Sequence, residues 1–227
     1  EHVGAVWEAW NRYLARSGRQ GVFLYMSDHG EQAGEHGLIG KHTFYEGSAR
    51  IPMIAAGDGI PAGHKLTQLI SIMDIGPTLC EWAGAEAPPR QDGASILRQL
   101  RGGGQDADRM VTSELVFAQS GRVIPARMLR WDRWKYVAYA GCEAANQLFD
   151  LQDDPLETRN LHAERPDIVR KFQAALRESW NPAAVAECYT AKAEHYALLR
   201  KWGRATDVPE PERWPVPPEA TVLPVVE

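Results

Sequence analysis

Residues 21–50 read GVFLYMSDHGEQAGEHGLIGKHTFYEGSAR, and the change of character inside this stretch decides the fold. Its first apolar run, residues 22–26, is continuous rather than alternating. Such a run is typical of a strand buried on both faces, as in a parallel sheet of an α/β domain. Ligands of open α/β sheets collect just beyond the carboxyl ends of the strands, so we expect a binding site where Ser27 begins the polar part.

Two residues of this polar turn have side chains suited to metal binding. Asp28 offers a carboxylate oxygen and His29 an imidazole nitrogen, and both are common ligands of divalent cations. Gly30 would let the chain turn sharply away from the strand. The alternative for the pair alone is an ordinary loop in which Asp28 closes an Asx turn. Because a protonated imidazole cannot ligate, metal binding through His29 should weaken in acid.

The surrounding residues weigh against an ordinary loop. Residues 27–54 combine the SDHGE turn, a Gly-rich loop, GKHTFYE and RIPMI, and this series resembles the sulfatase family of the alkaline-phosphatase superfamily. The resemblance extends over most of residues 1–180. It continues in IMDIGPTL (72–79), DGASI (92–96), WKY (134–136), QLFDL (147–151) and DPLETRNL (154–161).

The resemblance implies roles for four residues. Asp28 and His29 match the family's C-terminal pair of metal ligands, for which Ca²⁺ is favoured and Mg²⁺ or Mn²⁺ is possible. Lys41 matches the catalytic lysine that contacts the transferring sulfate. His42 beside it could line the pocket and contribute to substrate binding; the alternative is a histidine satisfied by a nearby backbone group. A histidine at position 29 is the version seen in choline-sulfatase-like and phosphonate-monoester-hydrolase-like members. The alternative for Lys41 is a solvated surface lysine.

The chain departs from the family in lacking a nucleophile. A sulfatase also needs an Asp-Asp metal pair and a Cys or Ser followed by x-Pro-x-Arg, whose first residue is oxidised to formylglycine. None of Cys80, Cys142 and Cys188 stands in that motif, and no serine has proline two residues later. We therefore expect the C-terminal portion of a sulfatase, inactive alone, whose partner is the N-terminal half of the same enzyme.

Composition limits the other partners and the compartment. Hydrophobic residues make up 44% and charged residues 24%, as in soluble globular proteins. The net charge of −5 gives no electrostatic reason to expect nucleic acid, and no apolar run reaches the ~18 residues that span a bilayer. Three widely spaced cysteines indicate no disulfide framework, so a reducing compartment, the cytoplasm, is favoured. The substrate expected from the resemblance is a small sulfate or phosphonate ester.

The predicted fold class is α/β, with three regions. Residues 1–105 form the C-terminal part of a parallel-sheet catalytic domain, residues 106–180 a small subdomain of antiparallel sheet plus helix, and residues 181–227 a helical and Pro-rich tail. The elements we predict are helices at 2–16, 75–84, 166–180 and 181–203, and strands at 51–56, 69–73, 110–115, 127–131, 135–139 and 147–151. Strands 127–131 and 135–139 alternate polar and apolar residues and are joined by Asp132 and Arg133, which predicts a β-hairpin. The helix at 166–180 should face this sheet with Ile168, Val169, Phe172 and Leu176.

Two other readings stay open at this point. The chain could be a non-catalytic, truncated or degenerate sulfatase-like module kept for association. A homo-oligomer is one such association, because an unpaired sheet edge favours pairing. It could also be a phosphodiesterase or phosphomutase relative that uses two Zn²⁺. That reading requires more His and Asp ligands than the sequence offers, and its motif lacks an equivalent of Lys41.

Overall fold

The structure is a computed structural model and describes residues 1–119 and 121–206. It consists of two compact units, Glu1–Pro182 and Ala183–Glu227. The described part of the second unit is helical, within α6 (Pro182–Thr206), which confirms the helix predicted there. The Pro-rich tail predicted beyond residue 207 lies outside the described residues. No helix among the described residues is both long enough and apolar enough to cross a membrane.

The first unit begins with a helix and a two-stranded sheet. α1 (His2–Ser17) ends at Gly18, whose φ of 63° is the left-handed conformation expected of a glycine stop. β1 (Val22–Met26) pairs with β4 (Met53–Gly57). Trp7 of α1 meets Phe23 of β1 edge to face at 5.2 Å, so the helix covers part of one face of this sheet.

The pairing of β1 with β4 corrects one expectation. The strands run antiparallel, with Val22 opposite Gly57 and Met26 opposite Met53, whereas the continuous apolar run predicted a parallel arrangement. The reason lies in the connection, because a parallel pair needs a long crossover, usually a helix. The intervening chain contains only β2 (Gln32–Ala33), a one-turn 3₁₀ helix (Glu35–Gly37), β3 (Ile39–Gly40) and α2 (Glu46–Ala49).

A second expectation also fails nearby. Residues 69–73 were predicted as a strand, but Ile72–Asp74 forms a 3₁₀ turn that leads directly into α3 (Ile75–Trp82). The buried Asp74 carboxylate accepts hydrogen bonds from the backbone N–H groups of Ser71 and Ala94. It also forms an ion pair with Arg109 at 2.6 Å. These bonds hold the segment in a turn, so it cannot join a sheet ladder. A short helix, α4 (Leu97–Leu100), follows.

The C-terminal part of the unit is a four-stranded antiparallel sheet in the order β5–β6–β7–β8. The predicted hairpin is confirmed, since Trp131 pairs with Trp134 across the two-residue turn at Asp132 and Arg133. α5 (Pro166–Ser179) packs on this sheet through Ile168, Val169, Phe172 and Leu176, all buried as expected. The strands are β5 (Met110–Gln119), β6 (Arg122–Trp131), β7 (Trp134–Tyr139) and β8 (Gln147–Asp150).

The α/β class and the antiparallel sheet with its packed helix are thus confirmed. The largest core lies between the sheet and α5 and includes Leu129, Tyr136, Leu148 and Phe172, each at most 1% exposed. A second, smaller cluster on the sheet is formed by Phe44, Ala126, Met128 and Val137. Phe44 belongs to the segment that follows Lys41, so this cluster connects the candidate site to the sheet.

Candidate functional site: a carboxylate, an imidazole and an ammonium beyond a strand end

The polar turn after β1 is held in place by its backbone. The Ser27 hydroxyl donates to the carbonyl oxygen of His29 at 2.6 Å, and the Gly30 N–H donates to the Ser48 carbonyl at 2.8 Å. A Cβ at Gly30 would collide with the carbonyl oxygen of Gly47. Only glycine therefore allows this turn to lie so close to α2. This close contact fixes the turn in which Asp28 and His29 follow the end of β1.

One hydrogen bond defines the state of the His29 ring. Its Nδ1 lies 2.8 Å from the Gly30 carbonyl oxygen, which can only accept, so Nδ1 carries the hydrogen. In the neutral imidazole, Nε2 is then left with a lone pair. An N–H donated to a backbone carbonyl is the arrangement that orients most metal-binding histidines.

The other two predicted side chains approach this same nitrogen. Asp28 Oδ2 lies 3.5 Å and Lys41 Nζ 2.7 Å from His29 Nε2, although Lys41 is twelve positions further along the chain. The Asp28 side chain is 81% exposed and that of His29 is 35% exposed, so all three groups meet at the surface. The structure brings together the carboxylate, the imidazole and the ammonium that the sequence singled out.

His42 lies apart from these three groups. Its φ of 71° is in the left-handed region, and it lines a mainly apolar cavity of about 370 Å³ between residues 38–45 and the C-terminal sheet. Among the described residues, its side chain makes no hydrogen bond to Asp28, His29 or Lys41. Its predicted substrate contact is therefore not part of the cluster at His29 Nε2, and the role stays a prediction.

The donor set fits a divalent cation in part. A carboxylate oxygen and a neutral imidazole nitrogen, adjacent and exposed, supply two ligands of the kinds that such ions accept. Residues 1–119 and 121–206 contain no group of three or more His, Cys, Asp or Glu side chains able to hold a metal. Asp28 and His29 can thus form part of a coordination shell, and further ligands would have to come from elsewhere.

Sequence reasoning missed the buried ion cluster that supports this site. The Lys135 ammonium, fully buried on β7, contacts Glu46 Oε1 at 2.6 Å and Glu157 Oε1 at 2.7 Å. Glu46 and Arg50 are four positions apart, a spacing that would suit a salt bridge if the segment were helical. However, α2 ends at Ala49 and Arg50 is extended, and Glu46 pairs with Lys135 instead. The available signal was that all three residues stand in family-like segments, GKHTFYE, WKY and DPLETRNL.

Burial and ion pairing also shift the pKa values of two groups on the C-terminal sheet, Arg130 and Asp150. Burial lowers the pKa of the Arg130 guanidinium, against the attraction of Glu46 and Asp132. Asp150 lies beside the β6–β7 hairpin turn, opposite Trp134. Burial favours the neutral form of Asp150, but hydrogen bonds from Arg133 and from the Gln152 backbone outweigh it and lower the pKa of that carboxyl. The hydrogen bond to Asp150 in turn raises the pKa of the Arg133 guanidinium.

Comparison with solved structures identifies the class of protein. The mixed α/β fold is shared with the phosphonate monoester hydrolase of Agrobacterium radiobacter, at a TM-score of 0.67 and 27% identity. That match covers 77% of this chain and 37% of the other. The fold is therefore one found in hydrolases, in which it forms part of a longer chain.

Comparison of sequences gives the family. The family model described as N-sulphoglucosamine sulphohydrolase, C-terminal, matches residues 34–183. Arylsulfatase K of Mus musculus is 33% identical over 189 residues, which are 79% of this chain and 34% of that protein. Choline-sulfatase of Rhizobium meliloti is 40% identical over 148 residues, 64% of this chain and 27% of that protein.

The chain belongs to the sulfatase family, and the region matched is its C-terminal domain. It spans about a third of the length of the curated relatives that it matches.

Proposed function

We propose that this chain is the C-terminal portion of a metal-dependent sulfatase-family hydrolase that cleaves sulfate monoesters, or phosphonate or phosphate esters. Asp28 and His29 supply two ligands of a divalent cation, with Ca²⁺ favoured and Mg²⁺ or Mn²⁺ as alternatives. Lys41 contacts the transferring anionic group, and His42 contacts the substrate. The remaining metal ligands and a formylglycine nucleophile belong to the N-terminal half.

The observation that carries the proposal is the meeting of three groups at His29 Nε2. Lys41 Nζ lies 2.7 Å and Asp28 Oδ2 3.5 Å from this nitrogen, and the ammonium donates to its lone pair, which a bound cation would take over. An exposed ammonium next to two cation ligands is an arrangement in which a metal and an ester oxyanion could be bound side by side.

Each residue has a distinct task in this proposal. A bound divalent cation supplies Lewis-acid stabilisation of the charge that develops on ester oxygens. The Asp28 carboxylate orients toward that position, and the Gly30 carbonyl keeps the His29 Nε2 lone pair directed at it. The Lys41 ammonium holds an anionic oxygen of the ester by a charge-assisted hydrogen bond.

Support for the division of the machinery comes from sequence and coverage. The chain has no Cys or Ser followed by x-Pro-x-Arg, and it covers 34% of arylsulfatase K. With two metal ligands and no nucleophile, we expect the isolated chain to be inactive on esters. Activity then requires the N-terminal half as a partner.

Calorimetry and an assay test the proposal. We expect wild-type chain to bind Ca²⁺ or Mn²⁺ and Asp28→Ala to lose that binding. Lys41→Met should retain it, because Lys41 is not a ligand. On an aryl sulfate and an aryl phosphonate, the full-length protein should be active and the isolated chain inactive. Equal activity of the two would refute the division of residues, and metal binding unchanged in Asp28→Ala would refute the metal site.

One observation favours a second candidate, a non-catalytic association module. The sheet of β1 and β4 has only two strands, and Tyr25 and Ile54 on it are 39% and 59% exposed. Unpaired strand edges beside exposed apolar side chains favour pairing with another chain, including a second copy. Sedimentation of a chain that forms a stable homo-oligomer without metal, and binds none, would support this candidate instead.

A further inference from the structure

A buried lysine of the C-terminal sheet reaches the segment that carries Lys41. Lys135 is 0% exposed, and its ammonium donates to the Phe44 carbonyl at 2.8 Å and to Glu157 Oε1 at 2.7 Å. It also forms an ion pair with Glu46 Oε1 at 2.6 Å, so three oxygens surround the buried charge. Two of the three lie in the segment that directly follows Lys41.

Glu157 provides a second attachment to the same segment. Its Oε1 binds Lys135, while its Oε2 accepts the backbone N–H of Glu46 at 2.6 Å, across 111 positions of sequence. Its φ of 56° is in the left-handed region, which is unfavourable for a residue with a side chain. Such a conformation persists where its surroundings fix it, and here the two carboxylate contacts do so.

The fixed segment leads to the candidate site in both directions. Phe44, whose carbonyl binds Lys135, lies three residues after Lys41, and Phe44 itself is 4% exposed. On the other side, the carbonyl of Ser48 accepts the N–H of Gly30, which follows His29. A displacement of residues 44–48 would therefore move both Lys41 and the turn that holds Asp28 and His29.

We propose that Lys135 is a positioning residue: by joining Glu46, Glu157 and the Phe44 carbonyl, it sets the distance between the Lys41 ammonium and the Asp28–His29 pair. This inference rests on the proposed function of those three residues. A buried ammonium separated from its acceptors is strongly unfavourable, so Lys135 holds the segment in one place. The cluster contributes no group to the reacting atoms.

The test compares Lys135→Met with a matched control, Arg109→Met. Arg109 also forms an ion pair at 2.6 Å with a fully buried carboxylate, that of Asp74, but Asp74 anchors residues 71 and 94 rather than residues 44–48. Glu46→Gln is the milder variant, since the Glu46 side chain is 25% exposed and Glu157 still pairs with Lys135. Urea unfolding shows how much stability each variant loses.

Two further readouts separate positioning from general destabilisation. The ¹⁵N chemical shifts of the His29 ring report its contact with Lys41. Titration with Mn²⁺ measures the affinity of Asp28 and His29 for the cation. We expect Lys135→Met to shift the Nε2 signal and weaken Mn²⁺ binding at least tenfold. Arg109→Met should leave both within twofold of wild type at a similar loss of stability. Glu46→Gln should give an effect in the same direction and of smaller size.

Other outcomes have defined meanings. Equal effects of Lys135→Met and Arg109→Met on the His29 signals, or no effect of Lys135→Met, would overturn the inference. If Lys135→Met does not fold, Glu46→Gln decides by the same comparison. If wild type binds neither Ca²⁺ nor Mn²⁺, the proposed function fails, while the ¹⁵N shifts still decide whether Lys135 positions Lys41.

Discussion

The two sheets of the first unit differ in how well the chain covers them. In the four-stranded sheet, five of six residues of β7 are buried, and α5 packs on one face. In the two-stranded sheet of β1 and β4, no residue is buried, and Ile54 is 59% exposed. The C-terminal sheet thus has its own core, whereas the apolar strands at the candidate site do not obtain full cover from the described residues.

The candidate site lies where the described residues leave apolar surface uncovered, and in the proposed function the N-terminal half of the enzyme would cover that surface. The candidate site lies at the end of β1, in the poorly covered region, and is fixed to the well-covered region through Lys135. The chain spans about a third of the length of its curated relatives, and in the proposed function the remaining ligands come from the rest of the enzyme. The contact of Lys135 with Phe44 connects the well-packed sheet to the segment that carries Lys41.

The largest expected effect tests the contrast in packing directly. Phe172→Ala removes a fully buried ring from the core between the sheet and α5, and should cost about 3–5 kcal/mol in free energy of unfolding. Ile54→Ala, on the exposed sheet, should cost less than about 0.5 kcal/mol. Urea unfolding monitored by fluorescence measures both. Similar costs at the two positions would mean that the sheets are equally well covered.

A smaller effect separates the site from the core. In Gly30→Ala the new methyl group must displace the backbone of Gly47, at a cost of about 1–3 kcal/mol. Gly76→Ala is the control, because its Cβ meets nothing within 4 Å inside α3, and alanine should be neutral or stabilising by up to about 1 kcal/mol. We expect amide exchange to rise at residues 27–50 and to stay unchanged in β6 and β7. A uniform rise would contradict the separation.

Lowering the pH should destabilise the hairpin end of the C-terminal sheet. The pKa of Asp150 is lowered, so its ion pair with Arg133 adds stability above the unfolded-state pKa of about 3.9 and loses it as pH falls through the folded value. Asp150→Asn should cost about 1 kcal/mol at neutral pH and flatten the stability profile between pH 5 and 3. Urea midpoints across that range measure it. An unchanged slope would show that Asp150 is not involved.

The smallest effect concerns His42, between the two regions. The φ of His42 is 71°, so glycine at this position relieves backbone strain but also raises the entropy of the unfolded chain. The two effects on the free energy of unfolding should cancel within about 0.5 kcal/mol in His42→Gly. Because the variant should fold normally, a rise in its KM for an aryl sulfate, measured in the full-length protein, would show that the His42 side chain contributes to substrate binding. An unchanged KM would remove His42 from the substrate site.

Periodicity predicted the well-covered region better than the site region. The alternating residues of β6 and β7 and the stripe of α5 gave the hairpin and its packing, because local pattern and tertiary burial agree there. The predictions that β1 is buried on both faces and lies in a parallel sheet were wrong for the described residues. A continuous apolar run shows that both faces of a strand are apolar, but it says neither what covers them nor which strand pairs with it. The predicted strand at 69–73 failed because the side-chain bonds of Asp74 outweigh its apolar character.

Resemblance to the family supplied Asp28, His29 and Lys41, and the structure brings them together. It placed Lys135 in a family-like segment but could not supply its pairing, since the partners Glu46 and Glu157 lie 89 and 22 positions away in sequence and the cluster exists only after folding. The state of the His29 ring was likewise out of reach, because the bond from Nδ1 to the Gly30 carbonyl depends on the conformation of the turn.

Paramagnetic broadening by Mn²⁺ tests the central claim most directly. The claim is that Asp28, His29 and Lys41 converge on one cation and its anion. At substoichiometric Mn²⁺, we predict that the NMR signals lost first are those of residues 27–30 and 41, and that Asp28→Ala abolishes this pattern. Broadening that begins elsewhere, such as at the exposed carboxylates of Asp106 and Asp108, or no specific broadening at all, would contradict the account.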